Sequence, residues 1–235
     1  MRTRWLAFPA GMLLALVAAC SDTTSGGLPT AQVRLLNGAT GAPALDLVVG
    51  GQVIAQGIAT DEASSFGDAP SGSQTIGLRA SGSTALLTSV NTTLIPGSRY
   101  TVMASGSGSA LTPSIAADTG AVNPDRANIR IINIAAAAAD SSNMPPLLLV
   151  DVYITSPGAS LDGVLPRMSL NASAPSYSTL LYYDAGSWTV RFTSGGTKTV
   201  LAESGSIAIA SGQVRAVKLS RTGSGGWTAS VVTEQ

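Results

Sequence analysis

The chain has 235 residues but no histidine, and it has a single cysteine. Without imidazole no side chain titrates near neutral pH unless its environment forces it to, so histidine-based acid–base catalysis and Ser-His or Cys-His nucleophiles are excluded. One thiol builds neither a disulfide framework nor a cysteine-ligated zinc site. Charge is sparse, at 11% of residues, and lysine occurs only at Lys198 and Lys218. The 13 basic residues include Arg2 and Arg4 in an N-terminal leader, which leaves 11 against 13 acidic ones. That balance gives no electrostatic attraction to nucleic acid or anionic lipid, so no nucleic-acid partner is expected. Aromatic residues make up 5%.

The chain is instead rich in small residues. Hydrophobic residues reach 45%, glycine 26 residues, and serine and threonine are abundant. Small, β-tolerant residues punctuated by Gly and Pro suit many short strands joined by tight turns, and do not suit a bundle rich in Leu, Glu and Lys. An all-β fold follows.

The first 19 residues read as a secretory signal. Arg2 and Arg4 supply the positive start, and Trp5 to Val17 form an apolar stretch too short to span a bilayer comfortably. Val17-Ala18-Ala19 precede the lone Cys20, an order that resembles the bacterial lipoprotein signal. The resemblance implies cleavage before Cys20 and a diacylglyceryl thioether on its sulfur, making the membrane a partner through lipid. Two or more acyl chains anchor stably, whereas one binds marginally. Residues 20–30, with Gly, Ser, Thr and Pro, read as a flexible tether. In the same resemblance, Ser21 directly after the cysteine favours the outer membrane.

An internal repeat organises the rest. Ala31-Gln-Val-Arg-Leu-Leu-Asn37 returns as Ala127-Asn-Ile-Arg-Ile-Ile-Asn133, and Leu45-Asp-Leu-Val-Val49 as Val150-Asp-Val-Tyr-Ile154. Ser71 to Ile76 matches Ala185 to Val190, and Leu94 to Val102 matches Ile209 to Val217, with the offset growing from 96 to 115 residues. The second copy therefore carries insertions, chiefly at Ala135 to Pro146 and Ser156 to Ser176.

Within the blocks apolar residues alternate with period two. In the first copy Val33, Leu35, Leu45, Leu47, Val49, Val53, Ile76, Leu78, Tyr100 and Val102 are expected on one side. Gly and Pro clusters separate about seven strands per copy at the roughly 8 to 12 residue spacing of a sandwich. Two antiparallel β-sandwiches are expected, at 31–107 and 127–235, joined by a linker at 108–126. Ala135 to Ala139 is expected as loop.

The Val-Arg-Leu-Leu-Asn block, Ala42-Pro43 through Asp46 to Gly50, and Pro70-Ser-Gly-Ser-Gln-Thr-Ile76 resemble the bacterial envelope family catalogued as domain of unknown function DUF4397. Asp184 to Phe192 is similar to the same family segment. The resemblance implies secretion or lipid anchoring, tandem copies, and an immunoglobulin-like or transthyretin-like sandwich. Members often carry His where this chain has Asn37 and Asn133, so any role of that imidazole is absent here.

Few constellations could carry chemistry. Arg34 with Asp46, and Arg130 with Asp151, recur in both copies and face away from the core-side residues. They read foremost as cross-strand ion pairs, contributing about 0.2–1 kcal/mol if exposed, and secondarily as a polar ligand patch. Leu36, Val48, Ile132 and Tyr153 share that outer face, so the other copy or a partner is expected to cover part of it. Asp61 with Glu62, or Asp46 with Asp151 across the copies, are the only carboxylate pairs to weigh for glycoside hydrolysis, and neither has a suitable setting. A Ser-Lys dyad at Lys198 or Lys218 has no motif behind it. Asp118, Asp125 and Asp140 are too scattered for a calcium loop, and Ser105 to Ser109 reads as linker rather than phosphate cradle. Trp188 and Phe192 are expected in the core. Tyr182 and Tyr183 are adjacent on a strand, so one points outward and could stack on a sugar or peptide.

The expected function is that of a non-catalytic, lipid-anchored cell-envelope protein, a tandem scaffold or interaction module with an envelope-protein or glycan partner. It is not expected to be an enzyme, and no cofactor or metal is expected. The alternative is a carbohydrate-binding or carbohydrate-active surface protein.

Overall fold

A computed structural model describes residues 29–135, 149–171, 175–222 and 226–233. Cys20 and the leader lie outside the described residues, as do Ala136 to Ala139. The first part of the chain forms β1 (Thr30–Asn37), β2 (Leu45–Val49), β3 (Gln52–Ile58), β4 (Gly67–Pro70), β5 (Gly72–Ala80), β6 (Thr88–Leu94), β7 (Arg99–Ser107) and β8 (Ala110–Ala117). The second forms β9 (Ala127–Asn133), β10 (Leu149–Thr155), β11 (Met168–Asn171), β12 (Ser176–Tyr177), β13 (Leu181–Tyr183), β14 (Gly186–Ser194), β15 (Val200–Glu203), β16 (Ile207–Ile209), β17 (Val214–Arg221) and β18 (Trp227–Thr233). The described residues contain no α-helix.

Four sheets result. The first has the order β4-β1-β7-β8 and the second β3-β2-β5-β6; the third has β12-β9-β17-β18 with β13 also on β9, and the fourth β11-β10-β14-β15 with β16 also on β14. The first and second sheets enclose one core, built from Val33, Leu35, Leu47, Ile76, Leu78 and Val102 among others. The third and fourth enclose another, around Ile129, Ile131, Val152, Val190, Phe192 and Leu219. Each such side chain contributes about 1.5–3 kcal/mol through burial.

The first and third sheets are mixed, because β1 runs parallel to β7 and β9 parallel to β17, while the second and fourth are purely antiparallel. Parallel neighbours need a crossover; here the chain passes through the opposite sheet before returning beside its own first strand. The register is duplicated along with the sequence. Arg34 lies opposite Thr101 and Leu36 opposite Met103, as Arg130 lies opposite Ala216 and Ile132 opposite Lys218.

Two expectations need correction. Val53 is 40% exposed while the other nine residues of the expected core face are buried. Gly50 and Gly51, both with positive φ (56° and 85°), close a two-residue hairpin that pairs Val49 with Gln52 and Val48 with Val53. Paired residues share a face, so Val53 joins outward-facing Val48. The expected linker also begins too early. Ser105 to Ser109 is the end of β7 and the Gly108-Ser109 turn into β8; Gly106 has φ +112°, and an added Cβ there would lie 2.1 Å from the Ala110 carbonyl oxygen. The strand β8, at residues 110–117, then occupies part of the 108–126 span expected to be irregular and pairs along the length of β7.

Candidate functional site

Alternation along β1 and β9 turns Val33, Leu35, Ile129 and Ile131 into the two cores and sends Arg34, Leu36, Arg130 and Ile132 out the other side. Those outward faces meet. Leu36, Met103, Ile132, Ile134, Ala216 and Val232 form a third buried cluster, with Ala63, Ala116 and Tyr177 packed against it. The first and third sheets are therefore the inner layers of a four-layer stack, and each covers the outer face of the other.

Polar groups close this seam at both ends. At one end Lys218 of β17 is fully buried and forms an ion pair with Asp61 of the other sandwich. Ser220 donates to the same Asp61 oxygen at 3.4 Å, and the Thr40 hydroxyl donates to the Arg221 carbonyl at 3.3 Å. Burial pulls the Lys218 ammonium below its ordinary pKa, and the Asp61 carboxylate offsets this only in part.

At the other end each outward arginine lies on an aromatic ring. The chain preceding β4 runs beside β1, which sets Phe66 next to Arg34; the guanidinium carbon stands 4.7 Å from the ring centroid. Tyr177 of β12 pairs alongside β9, and the Arg130 guanidinium carbon lies 4.4 Å from its centroid. The two halves then interlock. Arg34 donates through Nε to Thr101 (2.9 Å) and through Nη2 to the Tyr177 hydroxyl (3.1 Å), while Arg130 donates to the Ser178 carbonyl (2.9 Å) and pairs with Asp118. Arginine suits this position because its planar fork serves several acceptors while its face rests on a ring.

Beside this network the sheets part to leave a cleft of about 150 Å³. Phe66, Val122, Leu180 and Val214 provide its apolar wall; Arg99, Arg130 and Asp118 provide its polar groups.

The ion pairs expected within each copy are not formed as expected. Arg34 stands on the first sheet and Asp46 on the second, on opposite sides of the core, so they cannot be cross-strand neighbours. Asp46 pairs instead with Arg79, directly opposite on β5, at 3.2 Å, and accepts from the Gly57 amide at 2.9 Å. Arg130 and Asp151 are separated in the same way, on the third and fourth sheets. Thr193 occupies the position opposite Asp151, whose carboxylate accepts from the Ser169 hydroxyl and the Gly196 amide. All four residues are buried, between 0% and 7% exposed, rather than on an open face. Asp46 and Asp151 occupy the two outermost layers and cannot act together across the seam. Glu62 is an exposed residue near the Ala59 amide, and Lys198 donates to the Tyr153 hydroxyl at 2.9 Å.

Tyr182 and Tyr183 face opposite ways. Tyr182 is 42% exposed and its hydroxyl donates to the Ala121 carbonyl at 2.8 Å. Tyr183 packs on Trp188, with ring centroids 4.8 Å apart, and burial raises its phenol pKa despite Arg167 nearby. Asp140 lies outside the described residues; among those described, no group of three or more His, Cys, Asp or Glu is placed to hold a metal.

The repeated asparagines also have visible roles. Asn37 Oδ1 accepts from the Ala39 amide at 3.1 Å while its amide donates to the Ile58 carbonyl at 2.9 Å; Asn133 does the same with the Ala135 amide and the Asn171 carbonyl. Each ends its strand with a local turn and ties it to the neighbouring segment.

Asp46 gives a pH prediction. Burial raises its carboxyl pKa, but the Gly57 amide, Ser81 and Arg79 together outweigh burial and hold it below its usual value of 3.8. The stabilisation from the ionised form is complete above that value and disappears as pH falls through the lower, folded one. In urea melts between pH 7 and pH 2.5, the wild type is expected to lose stability below about pH 4 relative to Asp46→Asn, with a constant difference above about pH 5.

The fold and its seam thus define a class: paired β-sandwiches joined through equivalent faces. Residues 31–140 match the family model described as Domain of unknown function (DUF4397). That segment matches the family whose motifs the sequence resembles, and it covers the first sandwich and β9 of the second. No match was found among curated proteins.

Proposed function

We propose that this is a lipid-anchored, non-catalytic protein of the bacterial cell envelope, held at the outer membrane, whose paired sandwiches serve as a scaffold or interaction module. The observation that carries the reading is the position of the lone cysteine, Cys20, directly behind Val17-Ala18-Ala19 and an apolar leader that starts with Arg2 and Arg4. The body supports it. Charged side chains that would be candidates for chemistry are committed to structure: Asp46 to Arg79, Arg130 to Asp118, Lys218 to Asp61 and Arg191 to Glu203. Buried arginines and lysine at the seam hold the sandwiches to each other, as a rigid spacer on a short tether requires.

Expression of wild type and Cys20→Ser in a bacterial host, with alkyne-palmitate labelling and membrane fractionation, tests the anchor. The wild type is expected in the membrane fraction carrying label. Cys20→Ser is expected to lose the label and appear in the soluble fraction, and unchanged fractionation would refute the anchor.

A further inference from the structure

The seam cleft has a feature that joining the sandwiches does not need. Arg99 lines it, is exposed, and has its guanidinium carbon 5.0 Å from the Phe66 centroid. Only its Nε is used, donating to Gln32 Oε1 at 2.8 Å. Among the described residues its two Nη groups have no hydrogen-bond partner, so the paired end of the fork is open for a bidentate acceptor. The neighbouring carboxylate does not fill that place, because Asp118 is paired with the buried Arg130.

From these observations we infer that the cleft binds a small aliphatic carboxylate. Its carboxylate lies on the Nη edge of Arg99, and its branched apolar body lies among Phe66, Val122, Leu180 and Val214. The lining holds two arginines against one aspartate, with Arg34 also against the Phe66 ring, so an anion is favoured over a cation. The volume limits the body. A cleft of about 150 Å³ with apolar walls takes a group the size of benzene, which fits a valine-sized or isovalerate-sized body with any remainder of the ligand outside it. The polar contact is a single charge-assisted fork, so the dissociation constant is expected near 1 mM. Two sources carry this chemistry, a free short branched acid and the C-terminal aliphatic residue of a peptide.

The inference is independent of the lipid anchor, and its test uses the full chain purified in mild detergent with labelled Leu and Val methyl groups. Isovalerate, N-acetyl-L-valine and isovaleramide are titrated separately. Saturable shifts of the Val122, Leu180 and Val214 methyls with either acid, and binding of the amide at least about tenfold weaker, are expected. Tighter binding of N-acetylvaline assigns the site to peptide C-termini; equal or tighter binding of isovalerate assigns it to free acids. Arg99→Met keeps the apolar stem over Phe66 at an exposed position and is expected to weaken binding at least about tenfold. The absence of saturable shifts with both acids up to about 20 mM, equal binding of the amide, or unchanged affinity in Arg99→Met would overturn it.

Discussion

Phe192→Ala will lower the stability of the protein by about 4 kcal/mol, the largest effect of any substitution described here. Phe192 is fully buried on β14, between Val152 on β10 and Ala202 on β15, in the core of the second sandwich. The repeat places Leu78 at the corresponding position of the first. Phe192→Leu, which only trades one core filler for its counterpart, is expected to cost about 1 kcal/mol. Because the seam is apolar and latched by ion pairs and hydrogen bonds, the two sandwiches should unfold together. Phe192→Ala and Leu78→Ala are therefore expected to lower one common transition. Chemical denaturation followed by Trp fluorescence and by far-UV circular dichroism checks this: two separated transitions, one unaffected by each variant, would show that the seam does not couple the halves.

The second large effect concerns the latch. Asp61→Asn keeps a residue that tolerates the left-handed backbone at this position (φ 69°), but leaves the buried Lys218 ammonium without its carboxylate. Breaking one side of a buried pair costs about 3–5 kcal/mol, and exposure of half the Asp61 side chain (49%) places the expectation at the lower end, about 3 kcal/mol. Removing the lysine has the opposite outcome. The other sandwich has Met103 in the matching place, packed in the shared apolar cluster, so Lys218→Met is expected to be neutral or to stabilise by about 1 kcal/mol, and to rescue Asp61→Asn. Since the folded pKa of Lys218 lies below the unfolded value of 10.5, the cost of burying its charge is present at neutral pH and relieved as pH rises between the two. The advantage of Lys218→Met over wild type should shrink accordingly toward pH 10. Melting temperatures of the two single variants and the double variant across that range decide it.

Much of the fold could be read in the sequence because period two and repetition are local signals. Val33, Leu35, Leu47, Ile76 and Leu78 alternate, and the same alternation returns in the second copy. The failures have physical causes. The strand β8 contains Pro113, which suggests a linker, yet β8 is the outer strand of its sheet, where a residue lacking an N–H is tolerated. Val53 lies on the opposite face from the one its parity predicts because two turn residues, Gly50 and Gly51, reset the alternation. The site was less legible. Outward-facing Leu36 and Ile132 beside Arg34 and Arg130 indicate a covered face, which the structure bears out, whereas Val48 and Tyr153, expected on the same face, lie on the second and fourth sheets away from the seam. The partners did not follow. Arg34 meets Tyr177 across 143 positions of sequence, and Asp61 meets Lys218 across 157. Nothing in strand periodicity specifies which of two sheets a side chain serves, so the pattern alone does not distinguish Arg79, the actual partner of Asp46, from Arg34.

The way the halves meet limits how the architecture can grow. Each contributes the same surface, Leu36 and Met103 from one and Ile132 and Lys218 from the other, so the contact is isologous and satisfied by two units. A head-to-tail contact would leave a free surface at each end and could extend into a filament; this one closes on itself. A third unit spliced onto the chain would find no vacant complement and would present its own apolar face to water, favouring aggregation or exchange with a neighbouring chain. Repetition of this unit along one chain has an upper bound set by symmetry, and the chain is in effect a dimer that carries its own partner.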